Sequence, residues 1–508
     1  MSRFAEILRK KDFVITFELV PGRSTRTRHF RAIMRFAEEV AEAGLFDALS
    51  ITDNAGGHPA LAPEALGREL KRLGHEPIIH FSCKDKNRNV IESDLLDLDR
   101  EGLRTLLVVT GDYPRYGYRG RAKPVFDLDS VQLLRLISEM RKGYVLPPEV
   151  PGGGVTLPPV PFFPGCVVNP FKWTEAETLL QYWKLLKKIR AGASFVITQV
   201  GFSARKYQEL LFFLQEEGLS GFPALAGILV MDQRLARILY RGIVPGITVP
   251  EGLYRRLMGL SEEEARKEAL ERAARLMAVC QGLGYRGVHL CGAPLEKEAV
   301  HQLLVLYEEY RPHWREFLPE FAEVPEKAYF LYRKDPRTGL NLPERKPLSP
   351  SRSRNLLYFF SRIAHKLFFT RKGPLARPLR FLAHRLSGSS WEPLFTRLEY
   401  GIKKVLYDCQ ECGDCSLPHL AFLCTQSQCA KYLLNGPCGG SRDRWCEVYP
   451  GRRRCVFVRI YERLSPEERP QVFLKELSPR NWNLFRTSSW LNFYLGRTTL
   501  SPKKVKDL

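Results

Sequence analysis

Thr105-Leu106-Leu107-Val108-Val109-Thr110-Gly111-Asp112 runs apolar and β-branched, then turns polar within three residues. A run of this kind, closed by a turn signal, reads as a buried strand whose polar end faces something other than core. The same habit recurs along the first part of the chain. Candidate strands are Phe13–Val20, Ala48–Asp53, Pro77–Cys83, Thr105–Gly111, Cys166–Asn169, Phe195–Phe202, Ala224–Val230 and Gly287–Cys291. Amphipathic stretches lie between them, among them Phe30–Ala43, Ala176–Arg190 and Ser261–Leu283. Eight strands alternating with helices predict an α/β fold, a closed (β/α)8 TIM barrel. An open doubly wound sheet competes, but no G-x-G-x-x-G follows the first strand.

In such a barrel the chemistry sits at the C-terminal ends of the strands. Those ends carry Glu18, Thr52-Asp53-Asn54, His80, Thr110-Gly111-Asp112, Asn169 and Gln199. Any one of them is equally well a satisfied core group or a helix cap. Repetition over six strands is harder to explain by packing. A segment rich in proline and glycine, 143–165, precedes the fifth strand, with Pro147, Pro148, Pro151, Pro158, Pro159, Pro161, Pro164 and Gly152-Gly153-Gly154. It is expected as an ordered loop over the barrel mouth, a disordered insertion being the alternative.

Eight of the twelve cysteines fall at 409, 412, 415, 424, 429, 438, 446 and 455. The run Cys409-x-x-Cys412-x-x-Cys415 lets neighbouring thiols converge on one centre. Eight thiolates make two sets of four, which suits two iron–sulfur clusters or two zinc ions. A disulfide framework is disfavoured, since cysteines so close in sequence pair poorly and no secretory signal precedes them. A cytoplasmic chain with reduced thiols is the expectation.

The 508 residues are too many for one ordinary core. The expected division is a barrel over 1–312, a basic linker with amphipathic helices over 313–404, and a cysteine-rich domain with its tail over 405–508. No apolar run is long enough to cross a bilayer. Net charge is +22, and residues 333–404 hold 17 Lys/Arg against 4 Asp/Glu, a net +13. Such a block fits nucleic acid, an anionic membrane surface, an acidic protein or simply a solvated linker. Leu356, Phe359, Phe360, Ile363, Leu367 and Phe368 interleave with these cations. They are read as helices whose apolar face covers a neighbouring domain, in preference to lying on a membrane.

The strand-end residues resemble methylenetetrahydrofolate reductase, a flavin-dependent barrel enzyme. Phe17-Glu18-Leu19-Val20-Pro21, Ser50-Ile51-Thr52-Asp53, Thr110-Gly111-Asp112 and Ile197-Thr198-Gln199 carry the likeness. Pro77–Cys83 with His80, Val167-Val168-Asn169-Pro170 and Gly242–Pro250 support it, and together they cover about residues 1 to 310 in order. The cysteines resemble a second family, the cluster-binding module that accompanies or is fused to this reductase. Cys409–Cys415, Cys424 with Cys429, Asn435-Gly436-Pro437-Cys438-Gly439-Gly440, Cys446-Glu447 and Cys455 carry that match.

The resemblance implies reduction of 5,10-methylenetetrahydrofolate to 5-methyltetrahydrofolate. It makes Glu18 the acid, provided burial raises its pKa, and sets Asp112 beside flavin and folate. Gln199 would meet the pterin edge, and Thr52, His80, Thr110 and Asn169 the flavin, with Lys172 at its phosphate. Thr110 stands where relatives commonly have arginine; Arg115 is a substitute, and FAD and FMN both stay open. The clusters, expected as two [4Fe-4S] centres with zinc the competitor, would pass electrons from an acidic carrier such as a ferredoxin or flavodoxin docked on 333–404. Self-association stays open. Two other classes compete: a zinc-containing nucleic-acid-binding protein, which leaves the strand ends unexplained, and a zinc-dependent folate methyltransferase. Nucleic acid is therefore not expected as a partner.

Overall fold

The computed structural model describes residues 2–146, 153–292, 296–350, 355–370 and 373–499. Pro147, Pro148, Pro151, Gly152 and the last nine residues of the expected tail lie outside the described residues. Eight parallel strands close into a barrel in chain order: β1 (Val14–Leu19), β2 (Ala48–Ile51), β3 (Pro77–Ser82), β4 (Thr105–Val109), β5 (Phe163–Val168), β6 (Phe195–Thr198), β7 (Ala224–Leu229) and β8 (Gly287–Cys291). β8 pairs back onto β1, with His289 opposite Thr16. Every expected strand is present. β5 starts three residues early because Pro164 sits near its beginning, where a missing N–H is tolerated.

Helix α1 (Arg3–Lys10) precedes the barrel. The crossovers are α2 (Arg28–Ala43), α3 (Pro63–Arg72), α4 (Arg88–Arg100), α5 (Ser130–Met140), α6 (Glu175–Arg190), α7 (Ala204–Glu216), then α8 (Gln233–Tyr240), α9 (Glu251–Met258) and α10 (Glu262–Leu283), with α11 (Lys297–Tyr310) after β8. Strand side chains alternate between two environments, as a pleated backbone requires. On β1, Phe17 packs outward against Phe36 of α2, while Val14, Thr16 and Glu18 face the axis. The inner set is apolar at the bottom: Val14, Ala48, Ile78, Leu107, Phe195 and Leu225 meet Phe4 and Leu8 of α1. Helix α1 is therefore a plug, its Phe4 ring edge-on to Phe195 at 5.3 Å. One step up the axis the inward positions become Thr16, Ser50, His80 and His289, all buried.

Two expectations change. The described part of 143–165 connects α5 to β5, and Phe163 N–H donates to Arg104 O just before β4. It lies at the plugged end, because a helix-to-strand connection returns the chain to the N-terminal face. The mouth is framed instead by the strand-to-helix connections. Residues 313–404 are also more than a linker: β9 (Tyr332–Lys334) and β10 (Asn341–Arg345) form an antiparallel pair laid on α7, with Asn341 bonded to both Arg205 and Gln208. Three helices follow, α12 (Leu356–Phe368), α13 (Ala376–Leu386) and α14 (Glu392–Tyr407), and then the cysteine module with α15 (Thr425–Gln428) and α16 (Val456–Arg463).

Emptying the plug is expected to destabilise the whole barrel. Phe4→Ala removes a fully buried ring and should cost about 3–5 kcal/mol, measured by urea unfolding followed by circular dichroism. A loss below 1 kcal/mol would mean that α1 unfolds separately from the barrel.

Candidate active site

The inward polar residues form one connected layer. Thr16 Oγ1 bonds His289 Nδ1 at 2.8 Å, and Ser50 Oγ bonds His80 Nε2 at 3.0 Å and His289 Nε2 at 3.4 Å. Glu18 stands one residue pair further up β1, its Oε2 3.7 Å from His289 Nε2. One atom from each of Glu18, His80 and His289 falls within 4.8 Å of the others. Three groups so close can share a proton or hold one cation. Burial raises the Glu18 carboxyl, but the His289 hydrogen bond and the charges of His80 and His289 more than offset it, leaving the pKa below the ordinary value. The condition set on its acid role, a pKa raised by burial, is therefore not met, because two imidazoles from β3 and β8 stand beside the carboxylate. His80 is pushed down to about 4, mainly by burial.

Above this layer the mouth is shaped by the β2 and β4 connections. Asp112 Oδ2 accepts from Gly56 N–H at 2.7 Å. Gly57, at φ +74°, lets the two loops touch: a Cβ there would lie 2.2 Å from Tyr113 O. Lys84 is buried beneath, Nζ donating to Asn54 O. Thr110 Oγ1 reaches Ser130 Oγ at 3.3 Å, and Gln199 Oε1 accepts from Val200 N–H. Thr52 Oγ1 is buried with no hydrogen-bond partner among the described residues.

Asn169 and Lys172, expected at the flavin, turn elsewhere. Asn169 Nδ2 donates to Gly246 O at 2.8 Å and Gly439 O at 3.2 Å, and the buried Lys172 donates to Ser441 O at 2.6 Å. Arg115, the substitute phosphate ligand, donates to Glu447 O. All three are drawn to the cysteine module because it docks on this rim and its carbonyls come first.

The eight cysteines separate into two groups in chain order. Cys409, Cys412, Cys415 and Cys424 line one small cavity with Lys403 and Arg480; Cys429, Cys438, Cys446 and Cys455 line another with Lys431 and Glu447. Helix α15 joins them, Cys424 at its start and Cys429 at its end, so these two Cα atoms are about 8 Å apart along the axis. Backbone N–H groups face the sulfurs: Lys431 and Leu433 at Cys429, Gly440 at Cys438, Phe457 and Val458 at Cys455. Gly440 has no room for a side chain, its Cβ position being filled by Glu447. Burial pushes Cys412 up to about 11 and Cys455 up to about 12, so thiolates here need the positive charge of a metal centre. The donor set fits a cluster or metal.

The second group abuts the mouth. Lys431 donates to Gly111 O at 2.7 Å, beside Asp112, and is ion-paired with buried Glu447. Sequence reasoning missed His289, Ser50 and Thr16 because they lie within strands and not at their ends; inward alternation with Glu18 was the available signal. Lys431 meets Gly111 across 320 residues, and no local pattern announces that contact.

A family model described as methylenetetrahydrofolate reductase matches residues 3–305. A second, described as methylene-tetrahydrofolate reductase C terminal, matches residues 389–483. A curated relative, methylenetetrahydrofolate reductase 2 of Schizosaccharomyces pombe, is 24% identical over 263 residues, 49% of this chain. The chain spans 38% of that relative's length. Among solved structures, a Clostridium thermocellum protein that binds two copies of 5-methyl-5,6,7,8-tetrahydrofolic acid aligns with a TM-score of 0.43 and 14% identity, over 61% of this chain and 100% of its own. A 2,3-dimethylmalate lyase aligns with a TM-score of 0.32 and 13% identity, over 61% of this chain and 86% of its own.

The buried His80 has a consequence for acid stability. An unfolded histidine takes its proton near 6.5, whereas folded His80 resists until about 4. Between those values the unfolded chain binds more protons, so stability falls as pH drops from 6.5 towards 4. The gap is worth roughly 3 kcal/mol. His80→Gln should flatten that slope in urea unfolding at stepped pH; an unchanged slope would assign the acid sensitivity to other groups, such as His419, also held near 4.

Proposed function

The chain belongs to the methylenetetrahydrofolate reductase family, and from that premise we propose that it reduces 5,10-methylenetetrahydrofolate to 5-methyltetrahydrofolate at the barrel mouth, with a bound flavin and with electrons arriving through two iron–sulfur clusters on the eight thiols. The observation that carries this reading is the contact of Lys431 with Gly111, which joins the second thiol group to the loop bearing Asp112.

A flavin held in the mouth would supply hydride to the carbon being reduced. The residues left to hold it are Thr52, with its unpartnered hydroxyl, Thr110 and the Asp112 loop. Gln199 has an amide that donates and accepts at once, suited to a pterin edge. Opening the folate ring needs a proton on the departing nitrogen. With its pKa held low, Glu18 is ionised at neutral pH and does not store that proton alone. His289 stands 3.7 Å from Glu18, and Thr16 and Ser50 fix its imidazole between them, so the pair is placed to relay that proton. The carboxylates of Glu18 and Asp112 also favour the cation formed when the ring opens.

For the thiols, spacing supports clusters over single zinc ions. Sulfurs at about 2.3 Å from a tetrahedral zinc sit about 3.8 Å apart. Among the described residues no three cysteine sulfurs lie within 4.8 Å of one another. Amide N–H groups around the sulfurs and the nearby Lys403, Arg480 and Lys431 suit an anionic cluster. The electrons come from outside the chain.

Glu18→Gln should lower folate turnover by 10²-fold or more while flavin still binds and is reduced; full turnover by that variant removes Glu18 from proton transfer. Anaerobically purified protein should carry flavin and about eight irons per chain. Stoichiometric zinc without iron or a flavin spectrum would favour the methyltransferase reading. Reduced viologen should drive the reaction faster than NADH, and efficient NADH turnover would make the thiol centres dispensable.

A further inference from the structure

Helices α12–α14 leave apolar faces uncovered. On α12, Leu356, Phe359, Phe360, Ile363 and Leu367 recur at helical spacing and are all exposed; on α14, Trp391, Leu394, Leu398, Ile402 and Val405 do the same. Val405 is 86% exposed and Phe360 62%. Among the described residues, no neighbouring domain covers this face as expected. Arg362, Lys366, Arg377, Arg380, Arg385, Arg397 and Lys404 lie on the same three helices, Arg362 paired with Glu468 and Lys404 with Asp408. With 13, 11 and 16 residues the helices are too short to cross a bilayer, and no helix among the described residues is long and apolar enough to do so. Apolar aromatic faces rimmed by cations are the composition of helices that lie in a membrane interface. An acidic protein would account for the cations but not for the phenylalanines and tryptophan.

Beneath these helices lies a cavity of about 620 Å³. Its walls are apolar, from Phe368, Leu386, Phe395 and Trp490 among others, and its rim includes the exposed Leu382, Ile402 and Leu406. The cavity is thus continuous with the exposed face. Its lining also holds polar groups, His365, His419 and the Tyr407 hydroxyl, which bonds Ser361 at 2.6 Å. Lys403 and Cys415 belong to both this cavity and the first thiol group, and their side chains are 3.4 Å apart.

We propose that α12–α14 seat the chain on an anionic bilayer and that the cavity admits from it a quinone-type carrier, headgroup towards Cys415 and tail towards the lipid. This rests on the reading of the thiols as redox clusters. Oxidation of the hydroquinone would break two O–H bonds, release two protons to water and pass two electrons, one at a time, to a cluster held by Cys409, Cys412, Cys415 and Cys424. Reduction of the quinone runs the same balance in reverse. Size, apolar walls, polar groups in the lining and contact with the first thiol group together select this ligand class over a plain acyl chain.

The test uses the full chain, purified anaerobically. It should sediment with vesicles containing phosphatidylglycerol at least ten-fold better than with phosphatidylcholine alone, less so at high salt, and Phe360→Asp combined with Val405→Asp should abolish this. A naphthoquinone with a ten-carbon tail should bind once per chain by equilibrium dialysis. Ala383→Trp, filling the cavity, and Leu382→Glu, at its rim, should each lower that binding at least ten-fold while iron content and viologen-driven turnover persist. Equal binding to both vesicle types, a dimer indifferent to vesicles, electron delivery by a soluble acidic protein without lipid, acyl lipid bound in place of the quinone, or quinone binding unmoved by both variants would each overturn the proposal. Iron present with no quinone bound sinks this inference alone; quinone and lipid bound by a chain lacking iron sinks the cluster reading instead.

Discussion

The structure depends on how it satisfies the positive charge buried between barrel and cysteine module. Lys172, Lys184, Lys187 and Lys188 are all buried, and burying an ammonium without partners costs several kcal/mol. Here carbonyls and anions meet them. Lys184 donates to Gly436 O and Pro437 O, Lys187 to Asn435 Oδ1 and Lys475 O, and Lys188 to Val167 O within the barrel. Burial still pulls Lys187 down to about 7 and Lys188 to about 8. For Lys184 the buried Asp129 and then the Cys438 sulfur act against that pull. A chain so arranged has to keep the module docked, because separating the two surfaces would strip the lysines of their acceptors.

The docking also places the chemistry. Asp129 caps α5 through Oδ1, accepting from Val131 and Gln132, while Oδ2 accepts from the backbone of Leu434 and Asn435 and from the Asn435 amide. One carboxylate therefore starts a barrel helix and holds the strand of chain that leads to Cys438. From there Lys431 and Glu447 carry the contact to the Asp112 loop. The order along the molecule is the exposed helices, the first thiol group, the second, then the mouth. On the proposed reading of the thiols, that order suits stepwise electron transfer better than a nicotinamide brought directly to the barrel.

Much of the barrel was legible in the residues. A parallel strand buried on both sides must be apolar along its length, so the eight runs announced themselves, and their polar ends marked the right face. The plug did not, because eight residues of α1 carry too little pattern to distinguish a barrel stopper from a surface helix. The 143–165 segment was assigned to the wrong end since proline content says nothing about direction; its place between helix and strand does. The burial of the α6 lysines was not legible either, because most of the carbonyls that accept from them belong to the module, more than two hundred residues away.

Composition and spacing alone therefore settled the fold class, the count of strands and the presence of eight clustered thiols, since each is a local periodicity written into neighbouring residues. Which thiols line one cavity, that Glu18 meets two imidazoles that lower its pKa, and that Asn169 and Lys172 bond to the module were decided only by the tertiary structure. Those contacts join residues tens to hundreds of positions apart. Their electrostatics arise from partners that no stretch of sequence contains.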